Sequence, residues 1–477
     1  MRGEEQDRPE TSALALPERQ AVLEHAAGLI AGAWEEFDHA REYQPPVTGR
    51  HERLLREPLP AGPSDARAAL DAAAEVLDVS LSQVRPRFFA YVASSGLEIG
   101  VLADALMASH DVNAAVTAGG ADLLEGQVVR WVDAFVGFGG AADGVMAAGG
   151  QISNLTALAA ARERALPGFR RSGADGRRAA LYTSAEAHYS VQRSGEVLGL
   201  GADNVRRIAL DDDRRMDVEA CASAIDADLS TGVVPVAVVA TAGTTLTGTV
   251  DDLAGLAEVC SARGVWLHVD GAYGLPAAST TAAGWRFAGL DRADSATVDA
   301  HKWLYVPKAC SVLLMREAGR LEAAFSHQES YMPHPHDEIH PVDRTLEYSR
   351  PLRALKLWLA FRVHGADAIR AAIERNLAQA AMLAGLVEAE EGLELLLAPQ
   401  LSAVCFRVIP PEDADPFAHN AQVVDAVNAD GRLLIAGAVL DGVPCLRACV
   451  VNHRTTDADV RAIVEVVSEV VAELGDA

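Results

Sequence analysis

The stretch Trp266-Leu267-His268-Val269-Asp270-Gly271-Ala272-Tyr273-Gly274 decides the architecture. An apolar run, Val265 to Val269, ends on Asp270 and is succeeded by small residues. Just before it, Leu253 to Arg263 carries Leu253, Leu256, Ala257 and Cys260 at helical spacing. The same alternation extends outward, with candidate strands at Ala179 to Thr183, Val205 to Leu210, Val234 to Thr241, Ser295 to Val298 and Val312 to Met315. Continuous apolar strands separated by amphipathic helices predict an α/β fold with a mostly parallel sheet covered on both faces. Such sheets place ligands at the carboxyl ends of their strands, so the residues just past each apolar run are the candidates for a site.

The flanks differ from this centre. Pro17 to about Phe37 repeats apolar residues at helical spacing (Val22, Leu23, Ala26, Leu29, Ile30), and Pro45-Pro46 closes it. A second helical stretch runs from Ser64 to Leu77. These helices are too few to bury a core alone, and they are expected to lie against something larger, such as a partner subunit. Past Pro351 a helical pattern (Leu352 to His364, then Ala366 to about Glu390) leads into a smaller α+β segment. The expected division is therefore 1–85 (N-terminal helices), 86–365 (the α/β domain) and 366–477 (a small α+β domain).

Composition narrows the function. The 477 residues include 41 Lys+Arg and 67 Asp+Glu, a formal charge of −26, which repels nucleic acid and anionic membranes. No run approaches the ~18 to 20 apolar residues that span a bilayer. Met1 to Pro9 is charged and lacks a secretory pattern. Six scattered cysteines, none in a Cys-x-x-Cys pair, read as buried free thiols in a reducing cytoplasm. The expectation is a cytoplasmic protein acting on a small molecule, with no nucleic-acid or membrane partner and no metal.

Four segments carry candidate chemistry. Gly149-Gly150-Gln151-Ile152-Ser153-Asn154 precedes a helix expected to start near Leu155; paired glycines admit an anion close to the backbone, and helix N-termini bind phosphate. By itself such a turn is more often structural. Asp270 could hold a protonated ring nitrogen, and Ala272 leaves a flat surface for a ring, although a lone strand-end Asp reads as a cap. Lys302, within Ser295 to Trp303, comes after an apolar strand and beside Trp303, Leu304 and Val306, where desolvation favours a neutral, nucleophilic amine. Alone, its stem could pack while its head reaches water. His188, after the strand ending at Thr183, is on its own a structural hydrogen-bonder. Together, a phosphate cradle, a ring-nitrogen carboxylate, a stacking histidine and an amine nucleophile are what pyridoxal 5'-phosphate (PLP) requires.

At these residues the sequence resembles the PLP-dependent group II amino acid decarboxylases, from about Pro86 to Thr456. The most specific stretches are His268 to Gly274, Asp299-Ala300-His301-Lys302-Trp303, Ala242-Gly243-Thr244-Thr245, and Ser349-Arg350 with Leu355-Lys356-Leu357-Trp358 beyond it. The resemblance implies an aspartate-aminotransferase-type (fold type I) homodimer with shared active sites. It implies that Lys302 forms the Schiff base, Asp270 pairs with the pyridine nitrogen, Ala272 packs against the ring and His188 stacks on the other face. It places Thr244 and His301 beside the cofactor, and Gly150 and Gln151 at the phosphate. Pro86-Arg87-Phe88-Phe89-Ala90-Tyr91 resembles the aromatic substrate-pocket motif, which implies that Phe89 and Tyr91 line the pocket and that Ser94 meets the substrate carboxylate. Arg447 resembles an arginine that contacts substrate in glutamate decarboxylases.

The activity implied is decarboxylation of an L-amino acid, aromatic or otherwise bulky, through an external aldimine and a quinonoid. In the family a loop tyrosine usually protonates Cα. Here Glu329 to Tyr348 has tyrosines only near its edges, Tyr331 and Tyr348, with His334, His336 and His340 between them. Histidine could replace tyrosine as donor; three histidines could also bind a metal, but the proline-broken spacing favours solvated loop chemistry. Alternatively the carbanionic intermediate reacts with O2 to give an aldehyde, or the chain performs carbon–sulfur lyase chemistry. A non-enzymatic binding subunit is disfavoured by intact Lys302, Asp270 and His188.

Overall fold

The structure is a computed structural model that describes residues 16–43, 45–56, 58–115, 119–141, 143–327 and 340–475. Seven strands form the central sheet: β1 (Asp143–Ala147), β2 (Arg178–Ser184), β3 (Val205–Ile208), β4 (Val233–Thr241), β5 (Trp266–Asp270), β6 (Ser295–Val298) and β7 (Ser311–Met315). Their order is β1-β7-β6-β5-β4-β2-β3. The pairs β2–β3, β2–β4, β4–β5 and β5–β6 are parallel, and β7 runs antiparallel to both β6 and β1. The register sets Thr241 opposite Asp270 and Asp270 opposite Thr297, so three central strands end level with one another.

Successive strand residues face opposite sides, and each side has its own core. Val239 and Trp266 pack with Leu158 and Ala161 of the Gly150–Ala165 helix on one face. Val238, Leu267 and Val298 pack on the other with Val128, Ile225 and Leu256, which come from three further helices. This double covering is why the strands are apolar throughout.

A second sheet, of order β10-β11-β9-β8, is formed by β8 (Leu393–Leu397), β9 (Ala403–Val408), β10 (Ala436–Leu440) and β11 (Val443–Cys449), all antiparallel. The helix Ala354–Ala389 connects the two sheets and is broken at Gly365, whose φ of 78° only glycine adopts readily.

Two expectations need correction. Strand β1 was not anticipated: it is five residues long, contains Gly144, and exists through its pairing with β7. The helix after Gly149 starts at Gly150, five residues earlier than expected. The chain near Pro86 touches both domains: Phe89 N–H donates to Leu434 O (2.9 Å) and Cys449 N–H donates to Phe89 O (2.9 Å), while Phe88 packs in the core of the large sheet.

One buried ion pair secures the end of β1. Arg350, fully buried, places Nη1 3.0 Å from Glu125 Oε2 and Nη2 3.0 Å from Glu125 Oε1. Glu125 Oε1 also accepts Met146 N–H (3.0 Å), and Arg350 Nη1 donates to Met146 O (3.3 Å), three residues before the Gly149-Gly150 turn. Removing one member leaves an uncompensated buried charge. Arg350→Met is expected to cost about 3–5 kcal/mol in urea unfolding, with part of the loss recovered when Glu125→Gln is added. Unchanged stability in the single variant would contradict this role.

Candidate active site

The carboxyl ends of five strands converge on one cleft, lined by Gly150, Gln151, Asn154, His188, Ser190, Thr241, Gly243, Thr245, Asp270, Ala272, Tyr273, Asp299 and Lys302. Gly150 and Gln151 come after β1, His188 after β2, Gly243 and Thr245 after β4, and Lys302 after β6, while Asp270 and Ala272 lie at the end of β5. Sequence-distant residues meet here because parallel strands all point their last residues the same way.

Asp270 is buried and held by two donors. Its Oδ2 accepts from Asn154 Nδ2 (2.8 Å) and its Oδ1 from Ala272 N–H (3.2 Å). Asn154 occupies the second turn of the helix that Gly150 opens. At Gly150 an added Cβ would lie 2.9 Å from Asp299 Oδ2 and 3.0 Å from Ala272 Cβ, so a side chain there would collide with the floor of the cleft. The first N–H groups of this helix have no intrahelical acceptor and are available to an anion.

Lys302 Nζ lies 3.2 Å from Asp299 Oδ2. The apolar neighbours Trp303, Leu304 and Val306 are fully buried, while Lys302 retains 26% of its side-chain exposure. The expected desolvated amine is thus corrected to one that projects into the cleft and is paired with a carboxylate. His301, adjoining this pair, keeps Nε2 3.8 Å from Asp299 Oδ2 and has Nδ1 2.8 Å from Cys310 O. Burial lowers the pKa of His188, opposed by nearby Asp270, and burial likewise lowers that of His301, opposed by Asp299. Both rings are held toward the neutral form.

Among the residues anticipated from sequence, Gly150, Gln151, His188, Asp270, Ala272 and Lys302 share the cleft wall. Thr244 does not: its hydroxyl is buried against Thr247 (2.8 Å), and Thr245 faces the cleft instead. Phe89 is also a correction, because its ring lies in the small-domain core with Val404 and Phe406. Tyr91 is 54% exposed with its ring 5.7 Å from Phe88, and Ser94 donates its hydroxyl to Val306 O (3.3 Å). Arg447 is buried outside the cleft wall; Nη1 donates to Ala90 O (2.8 Å), and Nε and Nη2 have no protein acceptor among the described residues. His334, His336 and Tyr331 lie outside the described residues, and His340 is buried at the Pro341–Arg344 turn. Asn154 and Asp299 are functional candidates to which the sequence patterns assign no role. Asn154 stands one helical turn from Gly150, a spacing that could have flagged it.

The cleft suits PLP. It has a glycine-bordered helix N-terminus for phosphate, a buried carboxylate for a ring N–H, and an amine for the aldehyde carbon. Gln151 Oε1, Thr241 Oγ1 and Asp299 Oδ1 are buried on its walls without protein partners among the described residues, so polar groups remain for a ligand to meet. These features on this sheet define a PLP enzyme of the aspartate-aminotransferase fold type. More narrowly, the chain belongs to the pyridoxal-dependent decarboxylase family, whose conserved domain matches residues 49–409. It is a PLP-dependent carboxy-lyase. It is 33% identical over 419 residues to an aromatic-L-amino-acid decarboxylase of Bacillus atrophaeus, covering 86% of each chain. It is 26% identical over 452 residues to a phenylacetaldehyde synthase of Arabidopsis thaliana, covering 91% of each. The crystal structure of mouse CSAD superposes with a TM-score of 0.87 at 26% identity, covering 95% of this chain and 98% of that one.

One titration behind the site is measurable. Burial lowers the pKa of His268 from 6.5 to about 4, with Asp270 pulling the other way. Between those values the unfolded chain takes up a proton that the folded chain does not. The stabilising contribution is complete above pH 6.5 and is lost as the pH falls toward 4, about 3 kcal/mol in all. His453, lowered to about 3 by burial, acts in the same direction, whereas Asp251, raised to about 6 by burial, acts against it. His268→Gln is therefore expected to flatten, not abolish, the loss of unfolding free energy between pH 7 and pH 4.5. An equally steep loss in the variant would contradict the assignment.

Proposed function

We propose that the enzyme removes the α-carboxylate of an L-amino acid with an aromatic or other bulky side chain and returns a proton to Cα. The carrying observation is the meeting of Lys302, Asp270, His188 and Gly150 in one cleft. Bound PLP supplies an electron sink conjugated to Cα for the pair left when CO2 departs. Asp270 holds the proton on the ring nitrogen, and the Gly150–Gln151 backbone N–H groups take the phosphate. The imidazole of His188, held toward the neutral form by burial, and the Ala272 methyl would bound the ring from the cleft wall. Lys302 Nζ would be the amine that holds the cofactor through its aldehyde carbon, and Asp299, 3.2 Å away, would keep that amine beside the cleft when it is free.

The likeness to the Bacillus decarboxylase supports an aromatic side chain. Arg447, whose buried Nε and Nη2 have no acceptor among the described residues, supports a polar substrate contact from the small domain. Exposed Leu23, Leu59 and Leu77 on the N-terminal segment, with Tyr91, Leu102 and Leu106, support a homodimer that covers them. An active single chain in sedimentation would refute that assembly. Six free, buried thiols support a reducing, cytoplasmic setting.

Borohydride reduction of the holoenzyme, with peptide mapping of the product, is expected to place the pyridoxyl label on Lys302. A label on Lys308 or Lys356 would overturn the assignment.

A second reading has its own observation. No tyrosine lies between Tyr331 and Tyr348, and Tyr273, which lines the cleft, commits its hydroxyl to Ser402 Oγ (2.5 Å). Without a phenol at Cα, the electron pair left by CO2 can pass to O2, and water then releases the aldehyde: amino acid, O2 and water give aldehyde, CO2, ammonia and hydrogen peroxide. A positioned acid is typically worth ~10² to 10⁴ in rate, enough to decide between the branches. The phenylacetaldehyde synthase likeness supports this reading, but a histidine donor from the 329–348 segment keeps decarboxylation to the amine ahead. Turnover in air of an aromatic amino acid is expected to yield amine without peroxide. Oxygen uptake equal to aldehyde release would reverse the order of the two readings.

A further inference from the structure

Behind Asp270 runs a line of buried polar side chains that the chemistry above does not employ. Asp270 Oδ2 is 2.8 Å from Asn154 Nδ2, and Asn154 Oδ1 is 3.0 Å from His268 Nε2. His268 Nδ1 is 2.8 Å from Ser295 Oγ, which is 2.8 Å from Trp266 Nε1. A carboxylate only accepts, so Asn154 turns its amide N–H to Asp270 and its carbonyl to His268. The imidazole proton then sits on Nε2, and Nδ1 accepts from the Ser295 hydroxyl, which in turn accepts the indole N–H of Trp266. Every donor points toward Asp270. The second amide N–H of Asn154 is taken by Ser190 Oγ (3.1 Å), which stops the amide from flipping.

All five members are buried; His268 and Ser295 are fully so. The neighbouring cores are apolar, and an apolar residue at 268 would pack there without needing partners. A chain of hydrogen bonds is retained in such a place only when each member is satisfied, and each bond then polarises the next. The last donor in the line meets the one carboxylate aimed at the ring nitrogen.

We infer that Asn154 and His268 are positioning residues for the ring nitrogen of PLP, acting through Asp270 by fixing which of its lone pairs face the cleft. This rests on the reading that Asp270 pairs with that nitrogen. The apo protein is titrated with PLP and with the analogue bearing C–H in place of the ring nitrogen, read by quenching of protein fluorescence. The ratio of the two affinities in the unaltered protein reports the ring-nitrogen contact. His268→Leu is expected to reduce that ratio about tenfold while leaving analogue affinity within about twofold. His268→Gln, whose amide N–H reaches toward Asn154 Oδ1, is expected to restore most of it. Ser295→Ala, one step further from Asp270 than His268, lowers the ratio less and serves if His268→Leu fails to fold. Equal losses for PLP and analogue in folded variants would make these residues packing elements and overturn the inference. An unaltered protein that binds both equally would remove it together with the Asp270 contact, whereas one that binds neither would sink the proposed function itself.

Discussion

The structure depends on keeping a carboxylate inside the protein. Asp270 ends β5 and is buried, and an ionised carboxylate without partners in such a place is strongly disfavoured. It is tolerated because Asn154 and the Ala272 N–H supply donors from two directions. For Asn154 to reach it, the Gly150–Ala165 helix must lie directly on the sheet. That approach leaves no room for a Cβ at Gly150, where the backbone borders Ala272 and Asp299. One electrostatic requirement thus dictates the glycine, the helix placement and the open N–H groups that receive an anion. The Glu125–Arg350 pair performs the matching task at the other end of the turn by pinning Met146.

The charges in the cleft are arranged in pairs. Lys302 faces Asp299, and His188 shares the cleft wall with Asp270 and Lys302, with its pKa lowered by burial. A neutral, flat imidazole presents a π-face to an aromatic ring without adding a charge beside Lys302. The lysine itself is held by its surroundings. Lys356 Nζ, buried, caps Lys308 O (3.1 Å) and Ala309 O (3.4 Å), while Trp303 and Tyr305 both bond Asn376 (3.1 and 2.8 Å). The chain after Lys302 is therefore anchored on both sides.

Legibility in the sequence depends on how local each signal is. Strands β2 to β7 announce themselves as apolar runs, because both faces of a doubly covered sheet are dry. Asp270, Lys302 and His188 are legible because each stands at the end of such a run. Strand β1 is not, since its short, glycine-containing segment is a strand only in the presence of β7. Thr244 and Thr245 are adjacent and chemically identical, so only the turn geometry decides which faces the cleft. Phe89 looks like a pocket aromatic, but pairing of residues 87–89 with Leu434 and Cys449 turns its ring into the small-domain core. The roles of Asn154 and His268 depend on a contact between helix and strand more than a hundred residues apart, which no local pattern encodes.

The same pairing divides the work between the two domains. The groups that line the cleft come from the large sheet, whose strand ends are fixed by two cores. The small domain approaches through side chains: Arg447 on β11 reaches the Ala90 carbonyl, Cys405 on β9 meets the Leu246 carbonyl (3.3 Å), and Arg214 bridges Glu186 to Asp441. Leu246 and Glu186 lie one and two residues from the cleft-lining Thr245 and His188. Substitutions in β9 to β11 can therefore alter the edges of the cleft without touching Asp270, Asn154 or Lys302. A chain built this way can change the rim of the cleft while its wall of Asp270, Asn154 and Lys302 stays the same, because rim and wall rest on different hydrogen-bonded sheets.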